Sequence, residues 1–167
     1  DLVGITYTQA PIAPYPGISF TGGFDGNSHV IRNLTINASA KDKVGLFGRL
    51  GSGEHIKNLG VENVNITGNQ NVGGLVGDNS SSITSCYATG TVSGTSYVGG
   101  LVGSDYATID NCYATGSVTG TPGGAGGLVG YISSGTVTNS YANSTVTGVS
   151  NIGGLVGHIL NNVTISS

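Results

Sequence analysis

Three histidines, two cysteines and eight carboxylates are the side chains of this 167-residue chain that could ligate a metal, attack an electrophile or carry a proton. Their spacing serves none of these chemistries. His29, His55 and His158 fall at different phases of the repeat described below, and match neither a zinc pattern nor a helical His pair. No Ser stands in a Gly-x-Ser-x-Gly frame with a His and an Asp in reach. A solenoid polysaccharide lyase would need clustered carboxylates for Ca²⁺ and a base to abstract a proton. Here the base candidates Arg32 and Lys57 stand two or more repeats from Asp110. The expectation is a non-enzymatic protein with no catalytic residue, no metal and no cofactor.

Cys86 and Cys112 occur in two copies of one string, Ile83-Thr84-Ser85-Cys86-Tyr87-Ala88 and Ile109-Asp110-Asn111-Cys112-Tyr113-Ala114. A third copy reads Val137-Thr138-Asn139-Ser140-Tyr141-Ala142, and degenerate ones begin at Ile31 and Ile56. Adjacent parallel strands would hold the two Cys Cα atoms about 4.8 Å apart, within the disulfide range of about 4.4 to 6.8 Å. A Cys86–Cys112 disulfide is one reading. The other is two core thiols at a place where Leu34 and Leu59 stand in earlier copies.

What would position these residues is a repeat. Gly-Leu-Val-Gly recurs at 74–77, 100–103, 127–130 and 154–157, with Gly45-Leu46-Phe47-Gly48 as an earlier variant, at spacings of 29, 26, 27 and 27. Each period holds two or three short β-branched runs divided by Gly, Ser and Asn, and nothing long enough for a helix. Propeller blades need about 40 residues per repeat, whereas this period suits one coil of a three-sided β-solenoid. The fold expected is all-β: a right-handed parallel β-solenoid of five to six coils. It would span residues 18–167 with its last coil incomplete, after a strand and Pro-rich arm over 1–17.

Stacking the copies predicts columns. Ile31, Ile56, Ile83, Ile109, Val137 and Val163 form an inward apolar column. Asn33, Asn58, Asn111 and Asn139, with Ser85, form an asparagine ladder at a bend. Tyr87, Tyr113 and Tyr141 form an outward aromatic ladder, a candidate contact for surface glycans or a partner chain. The glycines of Gly-Gly-Leu-Val-Gly would supply positive φ and close backbone approach at corners. Thr91-Val92-Ser93, Ser117-Val118-Thr119 and Thr145-Val146-Thr147 stack as hydroxyl rows like those of ice-binding solenoids, a minor alternative function.

Only 13 residues are charged and no Lys or Arg follows Lys57, which leaves almost nothing to neutralise phosphate and excludes nucleic acid as a partner. No run of 18 apolar residues is present, so insertion into a membrane as a helix is not expected. The chain starts at Asp1 without an apolar signal segment, which reads as a processed protein or a fragment. Asn33, Asn37, Asn65, Asn79, Asn143 and Asn162 each begin an Asn-x-Ser/Thr sequence, the acceptor pattern for N-glycosylation.

The Gly-Gly-Leu-Val-Gly and Asn-Cys-Tyr-Ala-Thr-Gly strings, with the lead-in from Phe20 to Ile36, resemble the GLUG-motif repeats of bacterial and archaeal surface proteins over about residues 18 to 160. The resemblance implies a secreted, cell-surface location, as in adhesin-like proteins and the non-catalytic regions of immunoglobulin A proteases. It carries no catalytic residues to transfer. A solenoid also ends in unpaired edges. Leu2, Val3, Ile5 and Tyr7 at one end and Val163 and Ile165 at the other are the candidate assembly edges, and the expected partner is a second copy added head to tail into a filament or sheath. The alternative is a stalk or ligand-binding module of a cell-surface adhesin.

Overall fold

The computed structural model describes residues 1–53, 55–161 and 163–166. Among them every regular element is a strand, and the named strands pair in parallel. A representative coil runs through strands Ser82–Thr84, Tyr87–Gly94, Ser96–Gly99 and Val102–Asp105. Each strand then pairs with its equivalent one coil away, giving sheets of 11, 4 and 5 strands. Period-2 alternation decides which residues point inward. Along Tyr87–Gly94, for example, Ala88 and Val92 are buried while Thr91 is exposed.

The register stacks four inward columns. The first is Phe24, Ile56, Ile83, Ile109, Val137 and Ile165, which counts six levels. The second is Ile36, Ile66, Val92, Val118 and Val146. Val44, Val72, Val98, Ala125 and Ile152 make the third. Phe47, Val76, Val102, Val129 and Val156 make the fourth. Most members are sealed from water, and each buried Val, Ile or Phe contributes about 1.5 to 3 kcal/mol relative to exposure.

Two predicted column members are misplaced at the ends. Ile31 pairs with Val61, not Ile56, and Val163 pairs with Gly135, leaving Ile165 opposite Val137. Leu34 likewise lies beside Val64, since Asn65 N donates to the Leu34 carbonyl, while Leu59 pairs with His29. The cause is the long strand His55–Thr67, whose register shifts between Asp25 and His29 on one side and between Val61 and Val64 on the other. Those irregularities insert residues that a period copied from later coils does not count.

Corners need a left-handed residue or a Cβ-free one. Asn58, Ser85, Asn111 and Asn139 take φ of 55°, 52°, 52° and 48°, a region that Asn enters more readily than other residues with a Cβ. The motif glycines act differently. Gly100 has no positive φ, but a Cβ there would lie 2.3 Å from the Gly127 carbonyl oxygen and 2.7 Å from the Ala114 Cβ. These glycines allow close stacking and do not supply left-handed turns.

Residues 1–17 form a further partial layer against the first coil. Leu2 N donates to the Arg32 carbonyl (2.9 Å), strand Thr6–Tyr7 pairs with Thr35–Asn37, and Ile12 bridges to Phe47. Leu2, Tyr7, Ile12 and Phe20 pack on the core from this side. Among the described residues nothing equivalent lies over the last coil, where Ile152, Ile159, Leu160 and Ile165 remain 43 to 55% exposed.

Candidate functional site

The corner after the first inward column carries the two cysteines, and both are buried free thiols. Burial pushes the Cys86 thiol up to about 11 and that of Cys112 up to about 12, so neither is a ready nucleophile. The disulfide reading is corrected by this geometry. Both cysteines stand at the corner between strands, outside any strand register, and their sulfurs are turned to backbone carbonyls and not joined to each other. Instead each thiol bonds back to the carbonyl two residues before it, Cys86 Sγ to Thr84 O (3.3 Å) and Cys112 Sγ to Asp110 O (3.2 Å). Cys86 N donates to Cys112 Sγ (3.4 Å) and Cys112 N to Ser140 Oγ (3.0 Å). Ser140 Oγ repeats the pattern with Thr138 O (2.7 Å). The three residues are interchangeable corner plugs.

Beside them runs the asparagine corner. Asn58 Nδ2 donates to Asp25 Oδ1 (3.0 Å), Asn111 Nδ2 to Ser85 Oγ (3.0 Å) and Asn139 Nδ2 to Asp110 Oδ1 (2.9 Å). Asn33 is not in this column. It stacks on Asn63, whose Nδ2 donates to Asn33 Oδ1 (2.6 Å), and it reaches Asp1 Oδ1 at 2.7 Å. Hydrogen bonds hold the carboxylates of Asp25 and Asp110 below their ordinary range, from Asn27 N to the first and from Thr138 Oγ1 to the second. These amides tie one level to the next.

Tyr87, Tyr113 and Tyr141 stack with centroids 4.7 and 5.1 Å apart and planes within 2° and 6° of parallel. Their column continues down to Gly60, where an added Cβ would strike the Tyr87 ring. Tyr87 Oη donates to Glu62 Oε1 (2.7 Å), and Glu62 also takes Arg32 Nε at 2.9 Å. Desolvation and that carboxylate raise Tyr87 to about 12. Ring faces occupied by each other and by Gly60 are not available to a sugar, and only the outer face of Tyr141 is open. A shallow cleft of about 160 Å³ beside Tyr87 is lined by Ser28, Asn58, Leu59, Gly60 and Ser85.

The residues following each Gly-Leu-Val-Gly build a feature that went unread in the sequence. Asp78, Ser104, Tyr131 and His158 stack in one column, the first two buried and the last two half-buried, and Asn79, Asp105, Ile132 and Ile159 stack in the next. Asp78 receives Lys43 Nζ at 2.5 Å and Arg49 Nε at 3.7 Å. Asp105 is fully buried, accepts from Asn79 Nδ2, and leaves Oδ2 without a partner. Burial raises its pKa to about 7. Tyr97, Tyr106, Tyr131 and His158 gather above in tilted and edge-to-face contacts of 4.8 to 6.4 Å. The signal was present as the two positions after each motif, Asp-Asn, Ser-Asp, Tyr-Ile and His-Ile.

The remaining expected residues are scattered. His29, His55 and His158 stay apart by level or face, and no group of three or more His, Cys, Asp or Glu side chains able to hold a metal occurs among the described residues. Asn37, Asn65 and Asn143 are exposed, whereas Asn79 is sealed in the core beside Asp105, which corrects its place among the glycosylation candidates. Asn162 lies outside the described residues. At the ends Val3 and Ile5 are 71% and 46% exposed, while Leu2, Tyr7 and Val163 are half-buried. No helix among the described residues is long and apolar enough to cross a membrane.

Comparison with known proteins places this geometry in context. The GLUG motif matches in three tandem copies, over residues 68–93, 94–119 and 121–147. Halomucin of Haloquadratum walsbyi is 43% identical over 83 residues, a stretch that is 50% of this chain and 1% of halomucin. The chain thus spans a very small part of that relative. A crystal structure of a candidate immunoglobulin A1 protease of Bacteroides ovatus superposes with a TM-score of 0.52 at 23% identity, covering 97% of this chain and 69% of that one. At that identity the likeness is one of fold.

Proposed function

This chain is a GLUG-repeat β-solenoid, and from that premise we propose that it is a non-enzymatic structural module of an extracellular, cell-surface protein that associates end to end with a second copy. One observation carries the proposal. Of the large apolar side chains that are exposed, Val3, Ile5 and Tyr15 belong to the N-terminal layer and Ile18 directly follows it. Tyr141, Val149, Ile152, Ile159, Leu160 and Ile165 belong to the last coils, and Tyr106 alone lies between. Apolar surface is thus concentrated at the two ends of the stack, where unpaired strand edges also lie. The two ends differ in residues, so their contact is heterologous and extends without closing.

Light scattering and negative-stain microscopy across concentration test this. The expected result is filaments with an axial repeat of about 25 to 35 Å, set by six levels about 4.8 Å apart plus a junction. Ile159→Lys with Ile165→Lys should leave a folded monomer by circular dichroism. A wild-type chain that stays monomeric at high concentration overturns the assembly. A second reading, a stalk or ligand-binding module within a longer adhesin-like glycoprotein, is favoured by the small share of halomucin that the matched stretch represents. Under that reading the end face stacks on further repeats of the same polypeptide.

A further inference from the structure

The six Asn-x-Ser/Thr sequences are equal as strings, but the fold sorts them. An asparagine accepts a glycan through Nδ2, so that atom must reach solvent and the contacts it holds must give way to the sugar. Asn33 is half-buried and its amide is held at both ends, Nδ2 donating to Asp1 Oδ1 and Oδ1 accepting from Asn63 Nδ2. Asn79 is 0% exposed, with Nδ2 donating to Asp105 Oδ1 and Oδ1 accepting from the Ser81 amide. Asn37, Asn65 and Asn143 are exposed, and no hydrogen bond from the described residues engages their side chains.

These three stand on one face. They lie on strands Thr35–Asn37, His55–Thr67 and Tyr141–Gly148, which belong to a single continuous set of parallel pairings through Tyr87–Gly94 and Tyr113–Gly120. Register puts Asn37 opposite Thr67 and Thr35 opposite Asn65, so Asn37 and Asn65 are one level and one outward step apart. Asn143 is opposite Thr115, three levels above Asn65. Alternate strand residues share a side, so the hydroxyls of Thr67 and Thr145 face outward with Asn65 and Asn143. Ser39, two residues after Asn37, is also exposed. Along these strands the outward neighbours are Thr and Ser, and among the described residues the flank carrying Tyr97, Tyr106 and Tyr131 holds no exposed acceptor of this kind.

We propose that this one face is the glycan-bearing face, with N-linked sugar at Asn37, Asn65 and Asn143 and none at Asn33 or Asn79. The inference rests on the extracellular reading above. In the reaction Nδ2 attacks the anomeric carbon of a lipid-linked glycosyl phosphate or diphosphate. The N–C bond forms, the bond from that carbon to the phosphate oxygen breaks with its electron pair leaving on the lipid phosphate, and the amide proton passes to a base of the transferase. Sugar on this face clothes one flank and leaves both ends clear for stacking.

The test is mass spectrometry of the 167-residue chain secreted in folded form by a eukaryotic cell with an N-glycosylation pathway, deglycosylated by an amidase in heavy-oxygen water. Expected are heavy-oxygen aspartates at 37, 65 and 143 and none at 33 or 79. Asn37→Gln, Asn65→Gln and Asn143→Gln should each remove one glycan mass without changing the far-ultraviolet spectrum. Label at position 33 or 79 in the folded fraction, or none at the three exposed sites, overturns the assignment. Failure of the surface reading would show separately, as an intracellular location of the protein in its native cell: the native chain would then carry no glycan, while the site pattern in the secreting host cell would be unchanged.

Discussion

Asp105 carries its carboxyl at a position where the two later coils carry Ile132 and Ile159, so it ionises only against its surroundings. Below it is Asn79 and above it Ile132, while the Asp78 carboxylate lies on the level beneath and its partners Lys43 and Arg49 one level further down. In an unfolded chain this carboxyl titrates near 3.8, and in the fold it keeps its proton to about 7. The folded state therefore binds the extra proton between those values. That contribution to stability is complete below about pH 4 and is lost as pH rises to 7, with a size on the order of 4 kcal/mol. Asp105→Asn retains the shape and removes the titration. Urea melts of both proteins from pH 4 to pH 8 should show the variant gaining by about that amount relative to wild type. A difference independent of pH would refute the assignment. Asp25, Glu62 and Asp110, held low by hydrogen bonds from Asn27, Tyr87 and Thr138, pull the other way on acidification but cancel in the comparison.

Strand and turn together decide what a motif glycine tolerates, because the same frame position meets different neighbours at different levels. Gly100 would place a Cβ against the Gly127 carbonyl of the coil above, while Gly154 has nothing within 4 Å. Gly100→Ala should therefore cost at least about 2 kcal/mol and Gly154→Ala stay within about 0.5 kcal/mol. Thermal melts of the two variants decide it, and equal effects would show that the glycines serve propensity and not stacking. The comparison also marks how far the sequence could be read. From Ile56 to Val137 the period is regular, and the inward column, the corner asparagines and the tyrosine stack follow from counting alone. Ile31, Asn33 and Leu34 were misassigned because two register shifts beside the strand His55–Thr67 leave no trace in composition. Asp105 went unread because a carboxylate after Gly-Leu-Val-Gly reads as surface when the core column is identified only from its Ile copies. Cys86 and Cys112 suggested a bond through separation alone, which says nothing of the direction in which two side chains point.

At the scale of the whole molecule the two ends are unequal: the first coil is covered by residues 1–17 and the last presents its interior residues to solvent. Ala142, Val146, Leu155 and Val156 are partly exposed, where their counterparts Ala114, Val118, Leu128 and Val129 one level down are at most 1% exposed. Local opening should accordingly begin at the C-terminal level and proceed downward, as nearest-neighbour stacks do. Amide exchange should be fastest in Tyr141–Gly148 and slowest in Tyr87–Gly94. The reverse order would contradict stacking as the source of stability.

The ladders of hydrogen bonds run along the stack, since every named strand bonds only to the levels above and below it. A pull between the two ends is therefore carried by the whole rung of bonds joining one level to the next, each rung in series with the others. Such a column yields a level at a time. Each yield frees one coil, such as the stretch from Ile83 to Ile109, whose chain extends by roughly 3.3 to 3.6 Å per residue. A tethered surface layer made of it would absorb a tug in discrete steps and lose only its outermost rung first.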